Sequence, residues 1–522
     1  MRDFQLPGRS TVHAARGMCA TSHPLAASVA IDILKSGGNA ADAAIAGAVL
    51  LGICEPQMTG IGGDCFALVK PAGSDDVRAL NGSGRAPGGA DAAALRASGA
   101  ALVPVDRVEA VTVPGAIDGF VRLNADQGRM PLAEILAPAI HYAEAGVPVA
   151  PRTAFDWGRD ADRLQGAARD HYLVGGDVPR TGQMFRAPGQ ADVLRRIAAE
   201  GRAGFYEGEV AEDMLAALRD AGGTHTAADF ERTHADWHDP IGAAYHGRTL
   251  IEHPPNGQGA TALLMARILD RTDYAAQDAF GAMRIHLEAE AAKLAYDARD
   301  RLVAEGADVA DLLSDRMADG LAALIDPARP IANARVASAS VHRDTVYITV
   351  VDEDRMAVSL IYSIFHGFGS GIASPRFGVL FQNRGAGFTL EEGHPNELRP
   401  GRRPMHTIIP AMAATDGRVD MAFGVMGGAY QPNGHVRVLS NLVDHGMDLQ
   451  EAIDAPRAFA RDGVLDVERG YPDAVRAELS EMGHDVRIPD VAIGGAQAIE
   501  IGPDGLLTGA SDPRKDGCAL GY

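Results

Sequence analysis

Cysteine is scarce. Four thiols stand in 522 residues, at positions 19, 54, 65 and 518, with neither the density of a disulfide scaffold nor the paired spacing of a zinc site. They read as buried thiols. Long apolar runs are missing as well: none reaches the length of a membrane span. The opening stretch MRDFQLPGRSTVHAARG has no apolar core of the kind a leader peptide carries, so the cytoplasm is the expected compartment. Positive charge is in deficit. A formal net charge of −21 opposes both a nucleic-acid backbone and an anionic membrane as partner. No GxSxG elbow is present, and the turn TGIGG lacks the GxGxxG and Lys-Ser/Thr patterns of phosphate-binding loops. His286 and Glu288 lie two apart and do not share a helix face, and His253 is distant in sequence. His286 therefore reads as a hydrogen-bonded histidine on a helix surface, and neither a metal nor an organic cofactor is expected.

What is present is apolar and rich in glycine. Apolar residues make up 46 % and glycine numbers 61, in a chain longer than a single core usually organises. Two lobes or one large layered domain are expected. The run from Thr345 to Asp352, TVYITVVD, is a strand by its β-branched and aromatic content. An acidic turn, Asp352-Glu353-Asp354, and a second run from Met356 to Phe365, MAVSLIYSIF, complete a hairpin. A glycine-dense loop, HGFGSGIASPRFG, follows. Near the start, a helix over Leu25 to Lys35 stands behind a His23-Pro24 turn. A second, Asn39 to Cys54, is almost wholly Ala, Ile, Val and Leu, yet too short to span a membrane. It predicts a helix buried at the centre of a layered core. Residues 121–235 carry helical spacing in segments that end in glycine. A strand is expected over Tyr245 to Glu252, a helix over 260–270 and a long helix over 280–301. Residues 303–344 are acidic, alanine-rich and marked by proline. They read as a helix and then an exposed linker that delivers the chain to Thr345.

A Thr hydroxyl is a poor nucleophile unless a base sits beside it. Cutting the bond between Asp344 and Thr345 would create that base, the new α-amine of Thr345, whose unperturbed pKa is about 8. The residues around Thr345 carry a resemblance. TVYITVVD, FGSG at 368–371 and GVMGG at 424–428, with GGNAADAAIAG…EPQMTGIGGDCF and EAVTVPGAIDGF earlier, resemble the gamma-glutamyltransferase family of N-terminal-nucleophile hydrolases. The resemblance implies an α+β fold, a four-layer αββα sandwich. It implies a proenzyme that cuts itself into a large subunit, 1–344, and a small subunit, 345–522, associated as a heterodimer, with further pairing left open. It also implies Thr345 as nucleophile and Ser363 as its supporting hydroxyl. The Gly427 and Gly428 amides become the oxyanion hole, where close backbone approach suits glycine.

Departures from the family pattern bear on the substrate. The family's ammonium-binding aspartate falls on Gly387, and an asparagine beside the supporting hydroxyl falls on Phe365. A serine pair at the carboxylate pocket falls on His406 and Thr407, and the carboxylate-binding arginine falls on Ser83, with Arg85 the nearest cation. Losing one buried ionic partner costs on the order of 2–5 kcal/mol, so a zwitterionic γ-glutamyl group is not the expected substrate. Arg384, Arg402 and Arg403 cluster instead, with His406 beside them. The expected substrate is a small amide carrying a carboxylate near its carbonyl, such as oxamate. Arg384, Arg403, His406, Thr407, Arg85 and Phe365 are the candidate binding residues. Ordinary ion pairing is the alternative account for Arg85, and plain surface exposure for Arg402. With QNRGAGF, RRPMHTIIPAM and GGAYQPNGH, the pattern is similar to the family's acylase-like branch, which contains oxamate amidohydrolases and cephalosporin acylases. Three other functions stay open: a γ-glutamyl hydrolase or transferase acting on glutathione-like substrates, a cephalosporin-type acylase, and an uncleaved, catalytically silent binding protein.

Overall fold

The computed structural model describes residue 5, residues 8–331 and residues 343–522. Two seven-stranded antiparallel sheets form its middle. The first runs Cys518–Gly521, Met18–Thr21, Arg343–Val351, Ala357–His366, Asp64–Lys70, Arg78–Gly82 and Asp236–His238. The second runs Val12–Ala14, Leu507–Ser511, Gly495–Ile501, Arg418–Met426, Ala411–Thr415, Arg248–Glu252 and Ile241–Tyr245. Side chains from both fill the space between them: Leu68, Met412, Ala422 and Ile499 in one cluster, Phe66, Tyr347, Ile361, Ile408 and Met426 in another. Helices Pro24–Lys35 and Ala40–Cys54 pack on the outer face of the first sheet, with Leu132–Ala145 behind Ala40–Cys54. Gly259–Leu269 and Gln431–Val443 pack on that of the second, with Ala282–Leu302 behind Gly259–Leu269. This is the expected four-layer αββα sandwich of an α+β protein.

The apolar helix Ala40–Cys54 is buried along its whole length. Asn39 starts it with a capping box: its side chain accepts from the N–H of Ala41 and Asp42, and Asp42 accepts from Asn39 N–H at 3.0 Å. Small residues let the sheet approach closely. A Cβ at Gly47 would stand 2.4 Å from Ile348 Cδ1, on the strand that carries Thr345. Asp352, in the turn of the expected hairpin, accepts from the Ala40 and Met356 N–H groups, both at 3.0 Å. One carboxylate therefore ties the hairpin turn to the start of the buried helix.

Of the two organisations expected, the layered one fits, because the first sheet draws strands from both sides of the 344–345 bond and interleaves them. Two expectations change. Tyr245 to Glu252 is two strands, not one: His246 and Gly247 turn the chain at φ 43° and 85°, the positive pair that a two-residue hairpin needs. His286 is buried rather than on a surface, since helix Ala282–Leu302 lies beneath the Gly483-His484 corner. Its Nε2 lies 2.8 Å from the Asp326 carbonyl and its Nδ1 2.8 Å from His484 Nε2. Glu290, one turn along, accepts from Lys293 at 2.6 Å and from the Ile331 N–H at 2.5 Å. The three side chains gather as a metal site would. Each is already hydrogen-bonded within the protein, however, and the Lys293 ammonium sits among them, so the cluster acts as a clasp on residues 326–331. Of the expected helix and linker, helix Asp315–Ala322 is present, and residues 332–342 lie outside the described residues. Among the described residues no helix is long and apolar enough to cross a membrane.

A buried ion pair holds strand Gly495–Ile501 where it meets the glycine turn after Met426. Asp512 accepts from Arg457 at 2.6 Å, from Arg514 at 3.2 Å and from the Ala496 N–H at 2.7 Å. Burial alone would raise its carboxyl; the Arg457 and Arg514 guanidiniums offset this and hold it at about 2. Asp512→Asn leaves buried cations without their counter-charge and should lower unfolding stability by about 3–5 kcal/mol at neutral pH. Urea melts check this. The native pKa is depressed, so Asp512 stabilises above about pH 4 and loses that role as pH falls towards 2, which should close the gap between wild type and variant over that range.

Candidate active site

Thr345 lies near the head of strand Arg343–Val351, and the ladder to Ala357–His366 is irregular at this residue. Asp344 pairs with Phe365 and Val346 with Tyr362, so the register shifts between them: Thr345 alone faces two residues, Ser363 and Ile364, and stands opposite a bulge in the partner strand. Bulges re-aim side chains and recur beside active sites. Thr345 is buried, and its hydroxyl lies 3.5 Å from Ser363 Oγ. Ser363 Oγ also accepts from the Phe365 N–H at 2.8 Å and from Arg384 Nη2 at 3.4 Å. Phe365 takes φ +83°, a left-handed conformation that costs an aromatic residue energy and marks a constrained position.

Arg384 follows from the turn that Arg384–Gly387 makes after Asn383. Its guanidinium lies 3.8 Å from the Phe365 ring centre, a cation–π stack, and its Nη1 donates to Thr407 Oγ1 at 2.8 Å. Arg384, Phe365, Ser363 and Thr407 are all buried. Three residues after Arg384, a Cβ at Gly387 would stand 2.7 Å from the Met405 carbonyl, so the backbone there leaves no room for a carboxylate side chain. Gly427 and Gly428 turn the chain at φ +119° and +57° between strand Arg418–Met426 and helix Gln431–Val443. The turn Gly428–Tyr430 packs against the strand that carries Thr345.

His406 sits behind Thr407, fully buried. Its Nδ1 accepts the Ile408 N–H at 3.3 Å, which places the ring proton on Nε2, and Nε2 donates to Asp64 Oδ2 at 3.1 Å. Burial, with Arg384 and Arg403 nearby, lowers the His406 pKa well below the usual imidazole value and keeps the ring neutral. Asp64 Oδ1 accepts three further donors: Gly84 N–H at 2.8 Å, Gly115 N–H at 3.1 Å and Gln382 Nε2 at 2.8 Å. Burial pushes the Asp64 carboxyl up to about 6, against the pull of Arg384 and of these hydrogen bonds.

Two candidate arginines serve a different purpose. Arg403 directs its fork to the Ser83 carbonyl at 2.9 Å, Asp236 at 2.7 Å and the His234 carbonyl at 2.6 Å. Arg85 pairs with Glu305 at 2.5 Å and faces Asp236 at 3.9 Å, and Arg402 reaches Glu305 at 3.3 Å. These three hold neighbouring loops together, since Asp236 and Glu305 reach them from elements remote in sequence. The ion-pair account of Arg85 thus prevails, and Arg403 is a clamp rather than a substrate contact. Gln258 was not anticipated. Its Nε2 donates to the Thr407 carbonyl at 2.6 Å and the Gly428 carbonyl at 2.9 Å, and its Oε1 accepts from Arg299 at 2.8 Å. It joins the pocket to the glycine turn. Asp64 was also missed, although it stands within the quoted stretch EPQMTGIGGDCF. The available signal was an acid at the head of a strand, DCFALVK, with every residue buried.

Comparisons with known proteins show the family to which the chain belongs. The profile described as Gamma-glutamyltranspeptidase matches residues 26–522. An oxamate amidohydrolase proenzyme from Klebsiella pneumoniae is 36% identical over 97% of this chain and 98% of its own length. The glutathione hydrolase-like YwrD proenzyme from Bacillus subtilis is 33% identical over 98% of this chain and 99% of its own. A crystal structure of cephalosporin acylase from Bacillus halodurans superposes with a TM-score of 0.92 at 37% identity, covering 100% of this chain and 99% of that one. With a profile match over almost the whole sequence and such relatives spanning both chains, this protein belongs to the gamma-glutamyltranspeptidase family of N-terminal-nucleophile hydrolases.

Proposed function

We propose that this chain is a self-processing amidohydrolase that cuts itself between Asp344 and Thr345 and then uses Thr345 to hydrolyse a small, carboxylate-bearing amide. One observation carries the reading: Thr345 stands opposite a bulge with its hydroxyl against Ser363, and Ser363 in turn touches Arg384. In the mature enzyme the Thr345 α-amine takes the hydroxyl proton, directly or through one water, and Oγ attacks the substrate carbonyl carbon. The carbonyl oxygen becomes an oxyanion held by the Gly427 and Gly428 N–H groups. The carbon–nitrogen bond breaks as the leaving amine takes the proton. Water then adds to the Thr345 ester and releases the acid. The pieces 1–344 and 345–522 stay together as a heterodimer through the strand pairs they share.

Arg384 selects the substrate. Its guanidinium is stacked on Phe365 and donates to Thr407 and to Ser363, the hydroxyl beside Thr345, and its planar fork has the shape and charge that suit a carboxylate. No acid stands at Gly387 or Phe365 to receive an ammonium, so a γ-glutamyl group lacks its second anchor. Oxamate, whose carboxylate adjoins its amide carbonyl, is the first choice. The Klebsiella relative, an oxamate amidohydrolase proenzyme, points the same way.

Three measurements test this. Thr345→Ala should remain one uncut, inactive chain, whereas wild type should give two pieces by intact mass; a folded wild type that stays whole sinks the proposal. Ser363→Ala should fold and lose about 10²–10³ in turnover, the worth of one preorganised hydrogen bond at a reacting group. An unaltered kcat in folded Ser363→Ala would remove Ser363 from the site. Arg384→Met should raise KM for oxamate at least tenfold and hardly change the rate on a neutral amide of similar size. If a γ-glutamyl anilide or a glutaryl amide is turned over tenfold better than oxamate by wild type, the transferase or the cephalosporin-acylase reading takes over.

A further inference from the structure

Asp64 has no part in the chemistry just described, yet it is the most densely bonded carboxylate near the site. It pairs across the strand ladder with Ser363, and cross-strand partners place their side chains on one face of a sheet. Its four hydrogen bonds reach four separate segments. Gly84 and Gly115 belong to loops beside the pocket, Gln382 stands two residues before Arg384, and His406 one residue before Thr407. Arg384 and Thr407 are the two residues whose contact orients the proposed anchor. Resting on the amidohydrolase reading, we propose that Asp64 is the positioning residue of this site: its ionised carboxylate accepts the Nε2–H that Ile408 fixes on His406 and holds Gln382 in one orientation, and so fixes Arg384 and Ser363 relative to Thr345.

The donor count explains why the charge matters. Every group that Asp64 meets is a donor: three on Oδ1, and on Oδ2 an imidazole N–H whose position is set by Ile408. An asparagine of the same shape must turn its NH₂ towards one of these sets, and donors then face donors. Protonation of Asp64 creates the same conflict. The neighbouring titratable and charged groups are Arg384, His406, Cys65 and Tyr206, with Arg403 beyond His406. Burial keeps the Cys65 thiol and the Tyr206 phenol protonated and the His406 ring neutral, so among these groups only Asp64 changes charge near pH 6.

The test uses the mature enzyme and an uncharged small amide beside oxamate, so that substrate charge is separated from enzyme charge. Protonation of the Thr345 α-amine, from about 8, gives one acid limb in wild type and in every Asp64 variant; wild-type kcat should show a second fall on both substrates as pH drops through about 6. Asp64→Asn should be cut into two pieces and folded, with kcat at least tenfold lower on both substrates and no limb near pH 6. Wild-type kcat in Asp64→Asn, or an unchanged limb near pH 6, overturns the proposal. If Asp64→Asn does not fold, His406→Leu replaces it. Loss of a donor disfavours the charged carboxylate, so the limb should move to higher pH; a limb that stays in place is equally fatal. A readout independent of turnover is the ring N–H resonance of His406 in ¹⁵N-histidine-labelled Thr345→Ala. It should persist above pH 6 with Asp64 present and vanish in the Asp64→Asn double variant. The resonance reads the Nε2–H that Asp64 shields from exchange by accepting it, so persistence there rules out the tie between Asp64 and His406. A wild type that hydrolyses neither amide overturns the amidohydrolase reading alone, and the resonance experiment still decides the Asp64 tie.

Discussion

The structure depends on one constraint: the strand Arg343–Val351 must lie in the middle of a sheet whose two faces are both covered. It pairs with Met18–Thr21 on one side and Ala357–His366 on the other. The helix Ala40–Cys54 covers one face, and the second sheet covers the other through Tyr347, Ile361 and Met426. Gly424 lies opposite Tyr347, where a Cβ would stand 2.4 Å from the ring. Close packing of this order leaves little freedom at Thr345. A nucleophile placed there has its geometry determined by the core rather than by a loop, and precise geometry is what attack on an amide carbonyl requires.

The bulge opposite Thr345 and the left-handed Phe365 are the two places where the regular ladder gives way, and they adjoin along one strand. The distortion lets one side chain leave the pleat and brings the Phe365 ring beneath Arg384. An arginine buried this completely needs partners. Thr407, Ser363, the aromatic face of Phe365 and the field of Asp64 supply them. The Arg384 pocket and the Thr345–Ser363 pair are therefore one network. Gln258 extends it to the Gly428 turn, and Arg299 anchors Gln258 from the helix layer behind.

Interleaving of the two segments adds another consequence. Strands from residues 1–344 lie next to strands from 345–522 in both sheets, and the Arg403–Asp236 and Arg402–Glu305 contacts add ion pairs between the two segments. The clasp of His286, Glu290 and His484 fastens residues 326–331 just before the segment that leads to Thr345. These bonds stand on either side of the 344–345 position, so a cut there would not by itself separate the pieces.

Local pattern made much of this legible. The hairpin around Asp352, the helix behind Asn39, the strand of β-branched residues headed by Thr345 and the glycine turn at 424–428 can all be read because each depends on near neighbours in the chain: period, caps and turn residues. Family resemblance then placed Thr345, Ser363, Gly427 and Gly428 close together. Composition also excluded a disulfide scaffold outright. Position along the chain could not distinguish the roles of the arginines. Arg384 and Arg403 look alike in sequence, and only packing decides that one stacks on Phe365 beside Ser363 while the other is taken up by Asp236 and two carbonyls. Asp64, Gln258 and the His286 clasp stayed hidden for the same reason. A buried polar group takes its role from partners hundreds of residues away, and the energy that selects those partners, the cost of leaving a donor or a charge unpaired out of water, exists only once the sheets and helices have closed over them.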